Sequence, residues 1–425
     1  MNTLRSVTLD ELDGVGELAE LTTDEARALV ATELVEVRPE DGDRWRLVPR
    51  GRVGAVRIGD FQVQVTPKER VGLAHLLFLL GYAKDPGFRP EDVSGQHDAQ
   101  LWPAMAYSLA QAVERALSRG VVQGYRTTDE ALRTIRGRIR FGDQIRARPG
   151  TLVPIEVTYD EFAVDTAENR ILRAALRRML AVPRLGSDVR RRVLHLDARL
   201  EGVHVLRHGA PVPEWSPSRL NERYQPALRL AEIVLQHGAA KPGNAGLQVA
   251  SFVVTMWKVF EDFVTTALTE ALATSPGRTQ AQLPAFLAGA GDWRKGTIPM
   301  NVDVAHRDAE GRPDMVFDAK YKVASVTGLY ANADHYQMLA YCTALDVPRA
   351  WLVYAGGGSS ARVRRIKNTS VEVVECPLDL SASPTEILAR IATIARLAAG
   401  KSALDPEPLQ DEAAELTPAP GEAVA

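Results

Sequence analysis

The segment Asp318-Ala319-Lys320-Tyr321-Lys322 closes the apolar, strand-like run Met315-Val316-Phe317. Side chains alternate between the two faces of a strand, so Asp318 and Lys320 share one face and Ala319 and Tyr321 take the other. An acid that can hold a metal, beside a lysine that can handle a water, suits phosphodiester hydrolysis. That chemistry asks for a second acid. Asp314 is the nearest in sequence, but at about 3.3 Å of rise per residue it lies roughly 13 Å along the strand from Asp318. The better partner is in the preceding run, Ile298-Pro299-Met300-Asn301-Val302-Asp303-Val304-Ala305-His306. Gly311 supplies a turn signal between the two runs, which predicts a hairpin. A regular two-residue turn about Glu310-Gly311, without a bulge, sets Asp303 opposite Asp318. Cross-strand Cβ atoms then stand about 4.5 to 5.5 Å apart, close enough for two carboxylates to converge on one hard cation. The competing reading is a solvated hairpin with charged outer faces.

Around this pair the pattern alternates strands and helices. Strands are expected at about 299–306, 314–322 and 350–355, with helices near 251–268, 330–345 and 384–399. On the first of these helices Phe252, Met256, Phe260, Phe263 and Ala267 form one apolar stripe, with Glu261 at its polar border. Gln337 and Tyr341 lie four apart and share a helix face. Upstream, Thr23-Asp24-Glu25 reads as a helix start and Arg44 to Val48 as a strand. Strands near 53–66 precede helices at about 72–82 and 102–118. Residues 121–158 look β-rich, and a helix is expected from about Arg170 to Leu180. The prolines Pro211, Pro213 and Pro217 mark the best domain boundary. The division expected is 1–215, 216–400 and a tail from 401 that is rich in Pro, Ala and Glu and should be disordered.

At 425 residues with 45% hydrophobic side chains the chain can bury more than one core. Only Cys342 and Cys376 are present, which favours a reducing cytoplasm over a disulfide or structural zinc framework. The N-terminus lacks an apolar signal core, and the most hydrophobic stretch, Leu76 to Leu80, is too short to cross a membrane. Net charge is -3, yet residues 101–200 are arginine-rich. Arg136, Arg138 and Arg140 alternate as on a strand, with Arg146 and Arg148 beyond, and such a face could meet phosphates or an acidic partner. Arg190-Arg191-Arg192 reads as a solvated helix face. There is no phosphate-binding Gly-x-x-x-x-Gly-Lys-Ser/Thr loop, and Gly356-Gly357-Gly358 reads as a turn, so NTP hydrolysis is not expected of this chain.

The block Asp303…Asp318-Ala319-Lys320 resembles the core of the PD-(D/E)xK nucleases, and is most similar to the McrC family of modification-dependent restriction systems. The similarity extends to Val63-Gln64-Val65-Thr66-Pro67-Lys68, to Tyr159-Asp160-Glu161-Phe162-Ala163-Val164-Asp165-Thr166-Ala167-Glu168-Asn169-Arg170, to Arg219-Leu220-Asn221-Glu222-Arg223-Tyr224, to Met256 to Glu261 and to Tyr336 to Tyr341. Where the family usually has Pro before the first acid, this chain has Val302. The resemblance implies a mixed α+β / α/β architecture: an N-terminal β-rich docking domain and a C-terminal PD-(D/E)xK restriction-endonuclease-like α/β domain. It implies that Asp303 and Asp318 hold Mg2+ with the Ala319 carbonyl, that Lys320 handles the water, and that Glu261 is a third acid. Gln337 and Tyr341 resemble a Gln-x-x-x-Tyr element that could contact Lys320 or the DNA backbone. The implied partners are double-stranded DNA and a McrB-like hexameric AAA+ GTPase, which would read 5-methylcytosine and whose GTPase this subunit would stimulate. A non-catalytic activator of such a ring and a stand-alone nuclease are the alternatives.

Overall fold

A computed structural model of the chain describes residues 4–67, 71–86, 88, 101–207, 209–242, 248–287, 298–322, 332–357 and 360–400. Lys68, Gly358 and the tail from 401 lie outside these, and with them the expectations placed there. The chain forms two compact units, one of residues up to Thr266 with Leu380–Thr385, the other of Ala267–Asp379 with residues from Glu386 onward.

The first unit opens with β1 (Arg5–Asp10), β2 (Glu17–Glu20), α1 (Thr23–Val30), β3 (Val35–Pro39), β4 (Arg44–Pro49), β5 (Val53–Ile58) and β6 (Phe61–Thr66). Helix α1 starts where expected because Thr22 and Glu25 form a capping box. The Thr22 hydroxyl accepts from the Glu25 amide and the Glu25 carboxylate accepts from the Thr22 amide at 2.8 Å. Next come α2 (Leu73–Lys84), α3 (Leu101–Leu117), β7 (Gly124–Leu132), β8 (Arg138–Ile139), α4 (Phe141–Ala147), β9 (Ile155–Ala163), α5 (Ala167–Leu180) and α6 (Ser187–Arg199). A 3-10 turn at Glu222–Tyr224, α7 (Gln225–His237), β10 (Gly238–Pro242), β11 (Gln248–Val254) and α8 (Met256–Leu272) follow.

The two units part beyond Thr266, not at the proline cluster before residue 216. Strand β11 returns to pair antiparallel with β5, completing a sheet of order β1-β6-β5-β11-β10, and α7 packs on α3 and α5. Prolines end helices, but strand pairing decides which core a segment joins. Gly54 marks how closely β5 and β11 meet. Its φ is +144°, and a Cβ there would fall 1.9 Å from the Phe252 carbonyl oxygen.

Two local expectations are corrected. Ser251 to Val254 is strand, not helix: Ala250, Phe252 and Val254 are buried in alternation, and α8 begins at Met256 once the Thr255 carbonyl accepts from the amides of Lys258 and Val259. Phe252 therefore belongs to a period of two and not to the helical stripe. The arginines expected to alternate on a strand, Arg136, Arg138 and Arg140, lie in a stretch that is strand only at Arg138–Ile139, before α4. Several arginines here are offset by neighbours: Arg140 stands 3.3 Å from Asp129, Arg146 3.8 Å from Asp143 and Arg148 3.4 Å from Glu156, while Arg136 lies over the Tyr159 ring.

Two of the long family motifs meet in this unit as a structural joint. Asp165 accepts from Arg170 Nε and Nη2 at 2.7 and 2.6 Å, from Arg126 at 2.5 Å and from the His204 amide. The hydrogen bonds from Arg170 are the largest influence on its carboxyl, which is held down at about 2 against the opposing effect of burial. Fully buried Asn169 donates to the carbonyls of Val122 and Val164, each at 2.7 Å. From the second motif, Asn221 donates to Glu168 at 3.1 Å, Tyr224 Oη accepts from the Val122 amide and Arg223 donates to the Ala116 carbonyl.

The second unit contains β12 (Arg278–Phe286), β13 (Pro299–Arg307), β14 (Pro313–Lys320), α9 (Asn332–Leu345), β15 (Arg349–Ala355), β16 (Arg362–Arg365) and β17 (Glu372–Leu378); α10 (Pro384–Ala398) ends the described chain. Its sheet has the order β12-β13-β14-β15-β17-β16. Strands β14, β15 and β17 run parallel, and β12, β13 and β16 pair antiparallel. Helix α9 is the crossover between β14 and β15. Its Met338, Tyr341 and Cys342 pack against Val302, Val316, Ala350, Leu352 and Val373 in one apolar core. Both cysteines are buried, and burial pushes the Cys342 thiol up to about 11 and that of Cys376 up to about 12, so neither is a ready nucleophile. Among the described residues no helix is long and apolar enough to cross a membrane.

Candidate active site

The β13–β14 hairpin sets the acid pair. Val304 faces Phe317, Ala305 faces Val316 and His306 faces Met315, the register expected from the sequence. Continued by one position, it puts Asp303 opposite Asp318. The regular two-residue turn is absent, however. The Asp308 amide bonds to the Arg312 carbonyl and the Gly311 amide to the Asp308 carbonyl, closing a longer loop with Gly311 at φ +83°. A bulge between His306 and Arg307, which leaves Asp314 as the extra residue, then restores the register. The two departures cancel before the ladder reaches the acids.

Register alignment continues across the sheet. Ala281 faces Val304 and Leu283 faces Val302, so Gln282 on β12 lies opposite Asp303; on the other side Asp318 faces Leu352 and Leu352 faces Glu375. Gln282, Asp303, Asp318, Leu352 and Glu375 thus form one row over five strands. Asp303 Oδ2 accepts from the Ala319 amide at 3.0 Å, and the Gln282 carboxamide nitrogen stands 3.4 Å from Asp303 Oδ1.

Asp318 is 1% exposed. Lys320 Nζ meets its Oδ2 as an ion pair at 2.5 Å, yet neither oxygen receives a well-directed hydrogen bond from the described residues. Burial, first, and the charge of Asp303, second, push the Asp318 carboxyl up to about 7, against the pull of Lys320. A desolvated carboxylate with lone pairs to spare, facing a second carboxylate, fits a hard divalent cation. Among the described residues no three His, Cys, Asp or Glu side chains are grouped to hold a metal. Two carboxylates suffice for Mg2+, which keeps waters and takes substrate phosphate oxygens for the rest of its shell.

Helix α9 covers the same face. Asp334, 3% exposed, accepts from Lys322 Nζ at 2.7 Å and from Tyr354 Oη at 3.3 Å, and its charge adds to the upward push on Asp318. His335 Nε2 and Arg364 Nε both reach Glu375 Oε1, at 2.7 and 2.9 Å. Gln337 Nε2 donates to Tyr341 Oη, which donates to the Asn301 carbonyl; both contacts are 2.6 Å. Gln337 is thereby linked through Tyr341 to the strand that carries Asp303. Glu261 lies on α8, in the first unit, with Lys258 Nζ 3.2 Å away on the same helix.

Gln282 and Asp334 were not singled out from the sequence. Asp334 carries a faint signal as an acid in the first turn of a helix. Gln282 carries none, because its distinguishing property is a left-handed φ of +50° in mid-strand, which costs about 1–3 kcal/mol for a residue with a side chain of this kind. A shallow hollow of about 390 Å³ in the first unit is lined by Arg177, Arg178 and Leu235, and one of about 290 Å³ in the second by Asp314 and Trp351; neither is lined by Asp303, Asp318 or Lys320.

Sheet order and side-chain row define a mixed α/β protein with an acid, acid, lysine site on neighbouring strands. The chain belongs to the family of McrBC 5-methylcytosine restriction system components, whose family model matches residues 47–355. Among solved structures, one of a tetradecameric assembly of Thermococcus gammatolerans McrB AAA+ hexamers with bound McrC matches with a TM-score of 0.57 at 16% identity, over 91% of this chain and 98% of that one. This likeness is one of fold. A cryo-EM structure of the Thermococcus gammatolerans McrBC complex matches at TM-score 0.39 and 19% identity over 64% of this chain and 89% of that one. A Vibrio cholerae protein of known structure matches at TM-score 0.26 and 11% identity over 40% and 42%. No curated protein matches the chain.

Proposed function

We propose that this chain is the Mg2+-dependent DNA endonuclease subunit of a GTP-driven restriction complex that acts on 5-methylcytosine-containing DNA in the cytoplasm. The observation that carries the reading is the buried Asp318, its oxygens without directed donors, beside Asp303 and in ion contact with Lys320. Asp303 and Asp318, with the Ala319 carbonyl, would hold Mg2+. Bound there, the cation supplies Lewis acidity toward a phosphate oxygen and lowers the pKa of water. Lys320, on the same strand face as Asp318, orients the attacking water and offsets charge growing on the phosphate. Gln337 acts through Tyr341 or on the DNA backbone, and Glu261 enters as a further acid on the family pattern alone.

The proposed protein partner is a McrB-like hexameric AAA+ GTPase that recognises the modified base and whose GTPase this chain stimulates. Support comes from the family and from the lobe built of β7, β8, β9 and α4. Tyr125 is 80% exposed and Phe162 58%, their ring centroids 5.2 Å apart, while Phe141, Ile145 and Leu152 are also exposed and α4 buries none of its residues. An apolar surface of this kind marks an interaction site.

The test is cleavage of methylated duplex DNA by the chain with its partner, GTP and Mg2+. Asp318→Ala and Lys320→Ala should abolish cutting and leave complex formation intact. If both variants cut at the wild-type rate, the nuclease reading is wrong. If the wild type activates the partner GTPase but never cuts, the chain is an activator; if it cuts without the partner, it is a stand-alone nuclease.

A further inference from the structure

We propose that Gln282 is a positioning residue for the acid pair, its carboxamide holding the Asp303 carboxylate in the orientation that lets Asp303 and Asp318 share one cation. The inference rests on the metal-site reading above and deepens it.

The register places Gln282 directly across from Asp303, because the pairs on either side, Ala281 with Val304 and Leu283 with Val302, are intact. Only the middle position drops out of the ladder, and it does so without a shift in register. Gln282 leaves because its φ is +50°. In the same unit the other residues with side chains and positive φ among those described are Asp346 and Asn368, types whose short polar side chains tolerate this conformation. Both stand outside strands, whereas Gln282 stands within one. Glutamine lacks that tolerance, so conformational preference does not explain its presence.

What the conformation accomplishes is visible at Asp303. With Gln282 Nε2 at Oδ1 and the Ala319 amide at Oδ2, each oxygen of the carboxylate has a donor on a different neighbouring strand. Two donors on opposite sides fix the plane of the group, while every oxygen keeps a lone pair for a cation. The contact to Gln282 is the longer, 3.4 Å against 3.0 Å. Its role is accordingly to limit rotation and not to anchor the side chain. Outer partners of this sort orient metal ligands and set metal affinity. The competing explanation is that β12, as the edge strand, uses a kink to discourage pairing with other chains. Such a kink needs only the backbone, and glycine would make it at lower cost.

The two explanations separate in a Mg2+ titration of the full-length protein by calorimetry, beside its thermal unfolding. Gln282→Gly relieves the backbone and removes the amide; Gln282→Ala keeps the strain and removes the amide. Positioning predicts that both variants bind Mg2+ about tenfold more weakly, while their melting temperatures move apart, the glycine variant upward relative to alanine. A folded variant of either kind that binds Mg2+ as the wild type does overturns the proposal. Asp303→Ala is the control. If it loses Mg2+ binding and the Gln282 variants do not, only the positioning role fails; if it binds Mg2+ normally, the metal site itself is misassigned.

Discussion

The amide of Ala319 stands 3.0 Å from Oδ2 of Asp303, so the first acid is tied to the main chain of the strand that carries the second. Asparagine at 303 can keep that bond through its carbonyl oxygen but cannot keep the charge. Asp303→Asn is therefore expected to fold with a melting temperature near that of the wild type and to lose cleavage by more than about a hundredfold, beyond what loss of an outer partner costs. DNA nicking assays with the partner present, alongside thermal melts, check both halves. Retained activity at saturating Mg2+ would remove Asp303 from the metal site.

The Asp318 carboxyl, pushed up to about 7 by burial and by Asp303, titrates well above an unfolded aspartate near 3.8. Between those values the folded chain holds a proton that the unfolded chain has released, so stability without metal is greatest at the acid end and falls as pH rises toward about 7. Asp318→Asn should flatten that slope in denaturant unfolding measured across the window. Mg2+ binding runs the other way. The cation must displace the proton below about pH 7, so its apparent affinity should drop by roughly tenfold per pH unit there and level off above. Calorimetric titrations at about pH 6 and about pH 8 give the comparison, and equal affinities at the two would contradict the assignment.

Asp165 titrates in the opposite sense. Held down at about 2, first by Arg170, it contributes stability that is present above an unfolded value near 3.8 and lost as pH falls through about 2. Asp165→Asn should lower stability near neutral pH by about 1–3 kcal/mol, read from urea unfolding, and should reduce the acid sensitivity of the first unit. Because Arg170, Arg126 and the His204 amide all converge on this side chain, Asp165→Ala should be worse than asparagine. Cleavage by whichever fraction remains folded should be unchanged, since the joint of Asp165, Asn169 and Asn221 is architectural.

Much of the side-chain row at the candidate site was legible because strand alternation and pairing are read from residue numbers alone. Asp303, Asp318 and Lys320 fell where the period of two placed them. The register holds although the regular turn does not, since the loop closed by Asp308 and Arg312 and the bulge at Asp314 are two irregularities that compensate. Nothing in the sequence announces such a cancellation. The boundary between units was misplaced because Pro211 to Pro217 is a local signal, whereas the pairing of β11 with β5 joins residues far apart in the chain. Ser251 to Val254 is ambiguous in sequence because three apolar residues, Phe252, Val253 and Val254, directly before a helix fit either repeat. Gln282 carries no sequence signal and Asp334 only a faint one for a third reason: each makes its contacts with residues outside its own element, Asp303 for Gln282 and Lys322 and Tyr354 for Asp334.

Tyr125 and Phe162 offer a direct test of the docking lobe, because their rings contact each other across β7 and β9 while remaining largely in solvent. Exposed side chains contribute little to the fold, so Tyr125→Ser with Phe162→Ser should change stability by less than about 1 kcal/mol. At an interface the same rings would be among the costliest to remove, since buried aromatic anchors commonly contribute 2 kcal/mol or more, roughly a thirtyfold loss of affinity. The double variant should therefore bind a McrB-like ring at least about tenfold more weakly and stimulate its GTPase only at raised concentration, while retaining Mg2+ affinity at Asp303 and Asp318. Binding measured by fluorescence anisotropy and GTP turnover against subunit concentration distinguish this from a folding defect. Undiminished binding would move the docking surface to another part of the first unit and leave the exposed rings of β7 and β9 without a role in assembly.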